Sequence, residues 1–87
     1  MTIELGPGDV FEPDAITIRA GSPATIVLEN QDTIPHTFVI DELNVHEAIE
    51  PGELTTVLIT ADAGTYTFYC ELPGHREGGM EGTLTVE

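Results

Sequence analysis

Short stretches in which apolar and polar residues alternate recur along almost the whole chain, and no window carries a sustained helical apolar period. Alternation of period two is the mark of strands with one buried face, so it confines the chain to an all-β fold. In AITIRA, Ile16, Ile18 and Ala20 share one face while Thr17 and Arg19 take the other. ATIVLEN aligns Ala24, Ile26 and Leu28, and HTFVID aligns His36, Phe38 and Ile40. TYTFYC aligns Tyr66, Phe68 and Cys70, and GTLTVE aligns Leu84 and Val86. The turn signals GPGD, AGSP, NQDTIP, EPGE, DAG and LPG separate these stretches. About seven strands at this spacing predict a β-sandwich or small barrel, with no repeats or linkers, and 87 residues fit a single domain over 1–87.

A chain of this size buries only about 60 to 65% of its unfolded surface, so its core is modest. Cys70 is the only cysteine, so no internal disulfide stiffens the fold; a metal ion is a common substitute, because binding to the folded state alone adds to stability. Sixteen Asp and Glu face two basic residues, Arg19 and Arg76, for a net charge of -14. That balance argues against nucleic acid, whose phosphates need Lys or Arg, and against an anionic membrane surface. The acidic residues are spread along the chain, as on a folded acidic surface, and suit a cationic partner or a salty medium. No apolar run approaches the roughly 20 residues of a membrane span. Met1 leads directly into TIEL without the features of a signal peptide, so a mature form or excised domain is expected.

Chemistry concentrates in YCELPGHREGGM, residues 69–80, which holds the cysteine, a histidine and a methionine. The alternation turns His36 inward at the start of one strand and Cys70 inward at the end of another, so the two can meet at one pole of a sandwich. Pro73 and Gly74 let the chain turn after Cys70, and Gly78 and Gly79 let it turn back after His75, bringing Met80 round. Taken singly, an inward histidine is often a hydrogen-bonded core residue, and a buried free cysteine behaves as a small hydrophobe. Together they match a copper site in which two imidazoles and a thiolate form a trigonal plane with a weak axial thioether. Structural zinc, or a Cys–His nucleophile, would leave Met80 without a role. Copper delivery or storage would use the same ligands.

With that loop, its four intervening residues on each side of His75, and the flanking NQDTIPHTFVID and GTLTV, the chain resembles the cupredoxin family of small blue copper proteins. The resemblance covers nearly the whole chain and implies a Greek-key β-sandwich, one copper ion and outer-sphere transfer of single electrons. It implies His36 and His75 as nitrogen ligands, Cys70 as thiolate and Met80 as the axial group. The same resemblance implies an extracytoplasmic location, and with the charge of -14 the expected partner is a redox protein with a basic docking surface, cytochrome-like or an oxidase, met by a monomer. Copper enzymes of related build place a histidine next to the cysteine, but here Tyr69 and Glu71 flank it, so no enzymatic activity is expected. Many members carry an asparagine after the first histidine that ties the ligand loops together. Thr37 stands there instead, so that side-chain tie should be weaker or replaced, with the backbone amide left to serve the thiolate. His46, among Glu42, Glu47 and Glu50, reads as a surface strand residue. Electrons would pass at the edge of His75, beside Leu72 and Pro73, within a rim of Glu71, Glu77 and Glu81 that Arg76 interrupts.

Overall fold

A computed structural model describes residues 1–75 and 77–87. Among them nine strands form: β1 (Thr2–Leu5), β2 (Phe11–Glu12), β3 (Ala15–Ile18), β4 (Ala24–Asn30), β5 (His36–Ile40), β6 (Val45–Ile49), β7 (Leu54–Ile59), β8 (Gly64–Tyr69) and β9 (Glu81–Val86). The count exceeds the expected seven because β2 is only two residues long and β6 is too polar to show a clear apolar face. A short 3-10 turn, Asp41–Leu43, links β5 to β6 and ends at Asn44 with φ 56°, a left-handed conformation that asparagine tolerates better than most residues.

The strands build a β-sandwich. One sheet has the order β2-β1-β4-β7 and the other β3-β9-β8-β5-β6. β1 runs parallel to β4 and β3 parallel to β9, while the remaining pairs are antiparallel. Between the sheets lie Ile3, Leu5, Ile26, Leu28, Val57 and Ile59 from one side and Ile16, Ile18, Phe38, Ile40, Phe68, Leu84 and Val86 from the other. Ile16, Ile18, Ile26, Leu28, Phe38, Ile40, Phe68, Leu84 and Val86 are inward positions that the alternation marks, and β1 and β7 add Ile3, Leu5, Val57 and Ile59 to them. β5 departs from the alternation, since all five of its residues are buried. Phe11, Phe38 and Phe68 form an aromatic knot with ring centroids 5.1 to 5.9 Å apart. Two of its three pairs meet edge to face, which suits the ring quadrupoles.

Strand polarity fixes where the functional residues gather. β5 and β8 pair antiparallel with Val39 opposite Tyr69, so the start of β5 and the end of β8 share one pole. β8 and β9 pair antiparallel with Tyr69 opposite Glu81, which leaves the described residues of the connection, 70–75 and 77–80, over that pole. Gly82, the second residue of β9, carries this arrangement. A Cβ there would lie 2.3 Å from Cζ of Phe68 and 2.5 Å from the Asp14 carbonyl oxygen. The Gly82→Ala substitution is therefore expected to cost about 1 to 3 kcal/mol through overpacking, seen as a lower urea midpoint at unchanged slope. A midpoint equal to the parent's would show that the Asp14 backbone and the Phe68 ring give way freely.

Candidate metal centre

The loop after β8 is closed by its own backbone. The Cys70 amide donates to the Met80 carbonyl at 3.1 Å, and the Met80 amide donates to the His75 carbonyl at 2.9 Å. Two further bonds shape its turns, from the His75 amide to the Leu72 carbonyl at 3.1 Å and from the Gly78 amide to the Gly74 carbonyl at 3.0 Å. Gly74 and Gly79 sit at φ 82° and 103°, where a Cβ would be strained. The loop thus returns to its origin, and Cys70 and Met80, both fully buried, enter the hydrophobic core from the same pole.

His36, Cys70 and His75 converge there, with one donor atom from each lying within 4.8 Å of the others. That span is close to the ligand sphere of a single ion, about 4 to 4.6 Å across for nitrogen and sulfur donors. Cys70 Sγ is 3.3 Å from His75 Nδ1, and the two imidazole rings are 5.1 Å apart. His36 is fully buried while the His75 side chain keeps 14% of its surface exposed. The Nδ1 of His36 is buried with no hydrogen-bond partner. An orphaned imidazole nitrogen beside a buried thiol is costly in a folded chain unless something accepts its lone pair, and a soft cation fits that gap.

Around the donors lies a web of hydrogen bonds. The Thr37 amide donates to Cys70 Sγ at 3.4 Å, and the Thr37 hydroxyl sits 3.5 Å from the same sulfur. That hydroxyl also accepts the Glu71 amide at 2.8 Å. The tie between ligand loops is therefore not lost with asparagine; a threonine hydroxyl replaces it. His36 Nε2 meets Asp32 Oδ2 at 2.9 Å. The hydrogen bond from His36, reinforced by the Thr33 and Gly8 amides, holds the Asp32 carboxyl below the ordinary carboxylate range. Asp9 reaches the other side, its Oδ1 lying 3.7 Å from His75 Nδ1.

The four residues singled out in the sequence, His36, Cys70, His75 and Met80, all lie at this pole or in the core beneath it. His46 does not join them. Its side chain is 60% exposed and pairs with Glu71 across β6 and the loop, as its place among carboxylates suggested. Arg76 lies outside the described residues, and Glu71, Glu77 and Glu81 are exposed. Asn30, Asp32 and Asp9 were not anticipated. Asn30 is buried and donates from Nδ2 to the Ile34 and Ile49 carbonyls at 3.0 and 2.8 Å. In the sequence these residues sit inside turn signals, where Asn and Asp are ordinary; a carboxylate four positions before an inward histidine was the available clue.

Removing the Thr37 hydroxyl with Thr37→Val leaves the part-buried Glu71 amide without its acceptor. The expected cost is about 1 to 3 kcal/mol in the metal-free protein, with faster hydrogen exchange at the Glu71 amide and recovery of both in Thr37→Ser. Parent-like stability and exchange in the valine variant would show that the hydroxyl ties nothing.

Comparison with known proteins agrees with this geometry. The family described as a cupredoxin-like domain matches residues 2–86. Plastocyanin of Scenedesmus fuscus is 37% identical, the alignment covering 100% of this chain and 99% of that protein. The chloroplastic plastocyanin of Oryza sativa subsp. indica is also 37% identical over 88% of this chain, which spans about half (54%) of that relative's length. Dithionite-reduced auracyanin from Roseiflexus castenholzii superposes with a TM-score of 0.87 at 24% identity, covering 99% of this chain and 94% of that one, and so shares the fold. A β-sandwich whose antiparallel β5 and β8 bring a histidine and a cysteine to one pole, under a Cys-His-Met loop, together with these matches, places the chain in the cupredoxin family.

Proposed function

We propose that His36 through Nδ1, His75 and the Cys70 thiolate hold one copper ion, with Met80 as its weak axial group, and that residues 1–87 act as one electron-carrying unit. The single observation behind this assignment is the convergence of two imidazoles and a buried thiol within 4.8 Å, with His36 Nδ1 left unpartnered. Soft thiolate and imidazole donors suit copper, and the ion supplies a one-electron Cu(II)/Cu(I) couple. The protein is an electron carrier and not an enzyme. Its residues do the rest of the work. Strand ends and a hydrogen-bonded loop fix the donors, which limits rearrangement between oxidation states. The Thr37 amide donates to the sulfur at 3.4 Å and fixes where it sits. His36, Cys70 and Met80 are fully buried, which keeps water from the donors and favours retention of the ion over its delivery to another protein.

His75, with its partly exposed ring, offers the exit for electrons. Val10 and Ile34 are 46% and 42% exposed, and Pro35 and Pro73 are exposed with them, so the pole presents apolar contacts near that ring. The carboxylates of Asp9 and Glu71 border it, which favours a redox partner with a basic docking surface, met outside the cytoplasm by the protein as a monomer.

Addition of Cu(II) should give one bound ion and intense visible absorption from thiolate-to-copper charge transfer. Cys70→Ser should lose that absorption while keeping its β-rich circular dichroism, and His46→Ala should retain it in full. The same intense band in the serine variant would refute the assignment.

The net charge of -14 sets a field that steers a cationic partner. The Debye length shrinks from about 30 Å at 0.01 M salt to about 10 Å at 0.1 M, so stopped-flow electron transfer to a basic cytochrome should slow steeply over that range and level off at a residual rate sustained by apolar contact. A flat profile would mean that the acidic surface does not guide encounter.

A further inference from the structure

We propose that Asp32 is the positioning residue of the centre: its carboxylate, 2.9 Å from Nε2, orients the neutral His36 ring with its N–H at Nε2 and its lone pair at Nδ1, and its negative charge weights the site toward Cu(II). The inference rests on the copper reading above and adds a residue that the ligand set does not include.

The geometry is built around this contact. Asp32 Oδ2 lies 2.9 Å from Nε2 of a fully buried imidazole, and the carboxylate itself is only 14% exposed. Its two oxygens are both engaged, Oδ2 also accepting the Gly8 amide at 3.0 Å and Oδ1 the Thr33 amide at 2.7 Å. Its backbone amide donates to Asn30 Oδ1 at 2.9 Å, and Asn30 is anchored in turn to the Ile34 and Ile49 carbonyls. Gly6 makes room on the other side. At φ 75° it has no Cβ, and one built there would lie 2.8 Å from Asp32 Cβ and 2.9 Å from Oδ2. Asp32 is thus held on three sides with one oxygen aimed at the ring.

The chemistry follows from the donor inventory. An ionised carboxylate only accepts, so the ring nitrogen facing it must carry the proton, and a neutral imidazole then has its lone pair on the other nitrogen. That nitrogen is the unpartnered Nδ1, on the ring that converges with Cys70 and His75. A carboxylate behind a ligating histidine fixes its tautomer and makes it a stronger donor. A stronger donor and a nearby negative charge both favour the more highly charged ion. A bound copper would supply a one-electron couple, and the Asp32–His36 contact as it stands needs no proton to move with that electron.

Two measurements decide the matter. In the metal-free parent protein, nitrogen NMR of the His36 ring should show a protonated Nε2 and a bare Nδ1. In the copper-loaded protein, Asp32→Asn keeps an acceptor oxygen and removes the charge. The preference for Cu(II) over Cu(I) should then fall about tenfold, a rise in reduction potential of about 59 mV for a one-electron couple, with the intense absorption retained. A residue that merely braces the loop would lower the urea midpoint without moving the potential. A neutral His36 ring carrying its proton on Nδ1 in the parent, or an asparagine variant with the parent's potential, would overturn the proposal. Lack of intense absorption in the copper-loaded parent would instead refute the copper reading, and the metal-free nitrogen shifts would still decide the tautomer.

Discussion

The register of β5 against β8 is the constraint from which the centre follows. With Val39 opposite Tyr69, His36 turns into the sandwich at the pole where β8 ends, and the next residue, Thr37, sends its amide to the sulfur of Cys70 at 3.4 Å. A slip of one residue would exchange the two faces of β5. His36 would leave the pole and the sulfur would lose its donor. The slip is resisted twice over, since Phe38 and Ile40 are packed in the core on the His36 face and the Thr37 hydroxyl bonds to the backbone of Glu71 on the other. Core packing and site assembly are therefore one choice of register.

The same economy links stability to function. Cys70 and Met80 belong to the hydrophobic cluster that also holds Phe11, Phe38 and Phe68. A chain of 87 residues without a disulfide has few other means of stiffening itself, and an ion bound only by the folded form adds its binding free energy to folding. The ligand loop is already closed by backbone bonds between Cys70, His75 and Met80. Donors so held resist the differing geometric preferences of the two oxidation states, which is what a carrier of single electrons requires.

Alternation made the inward faces legible, because a half-buried strand must write its burial into every second residue. It also located His36 and Cys70 at strand ends, and short glycine-bearing turns located His75 and Met80. What it concealed has physical causes. β5 is buried on both faces, and Thr37 and Val39 hold the outward positions that alternation alone would leave exposed. The two-residue β2 is too short to show a period. Asn30 and Asp32 look like solvated turn residues, since the same polar side chains serve a turn in water and a buried bracket equally well. Only the fold shows that Asn30 is buried and that Asp32 faces an imidazole. Thr37 was legible as a departure, but that its hydroxyl would bridge the two ligand loops depends on the position of the Glu71 amide, which no local pattern encodes.

Acidic side chains then divide into two kinds by their exposure. Glu71 and Asp9 are 40% and 39% exposed, in reach of counterions, so salt screens their effect on the ion and on an approaching partner alike. Asp32 is 14% exposed and hydrogen-bonded through both oxygens, in a setting where charge is screened far less. Surface carboxylates can therefore accumulate for steering or solubility without dragging the potential of the ion far, because water and salt intervene. A single carboxylate behind His36, hydrogen-bonded to the ring itself, is shielded less. The chain thus separates the charge that governs encounter from the charge that governs the couple, and the division is made by burial at one pole and not by the total of -14.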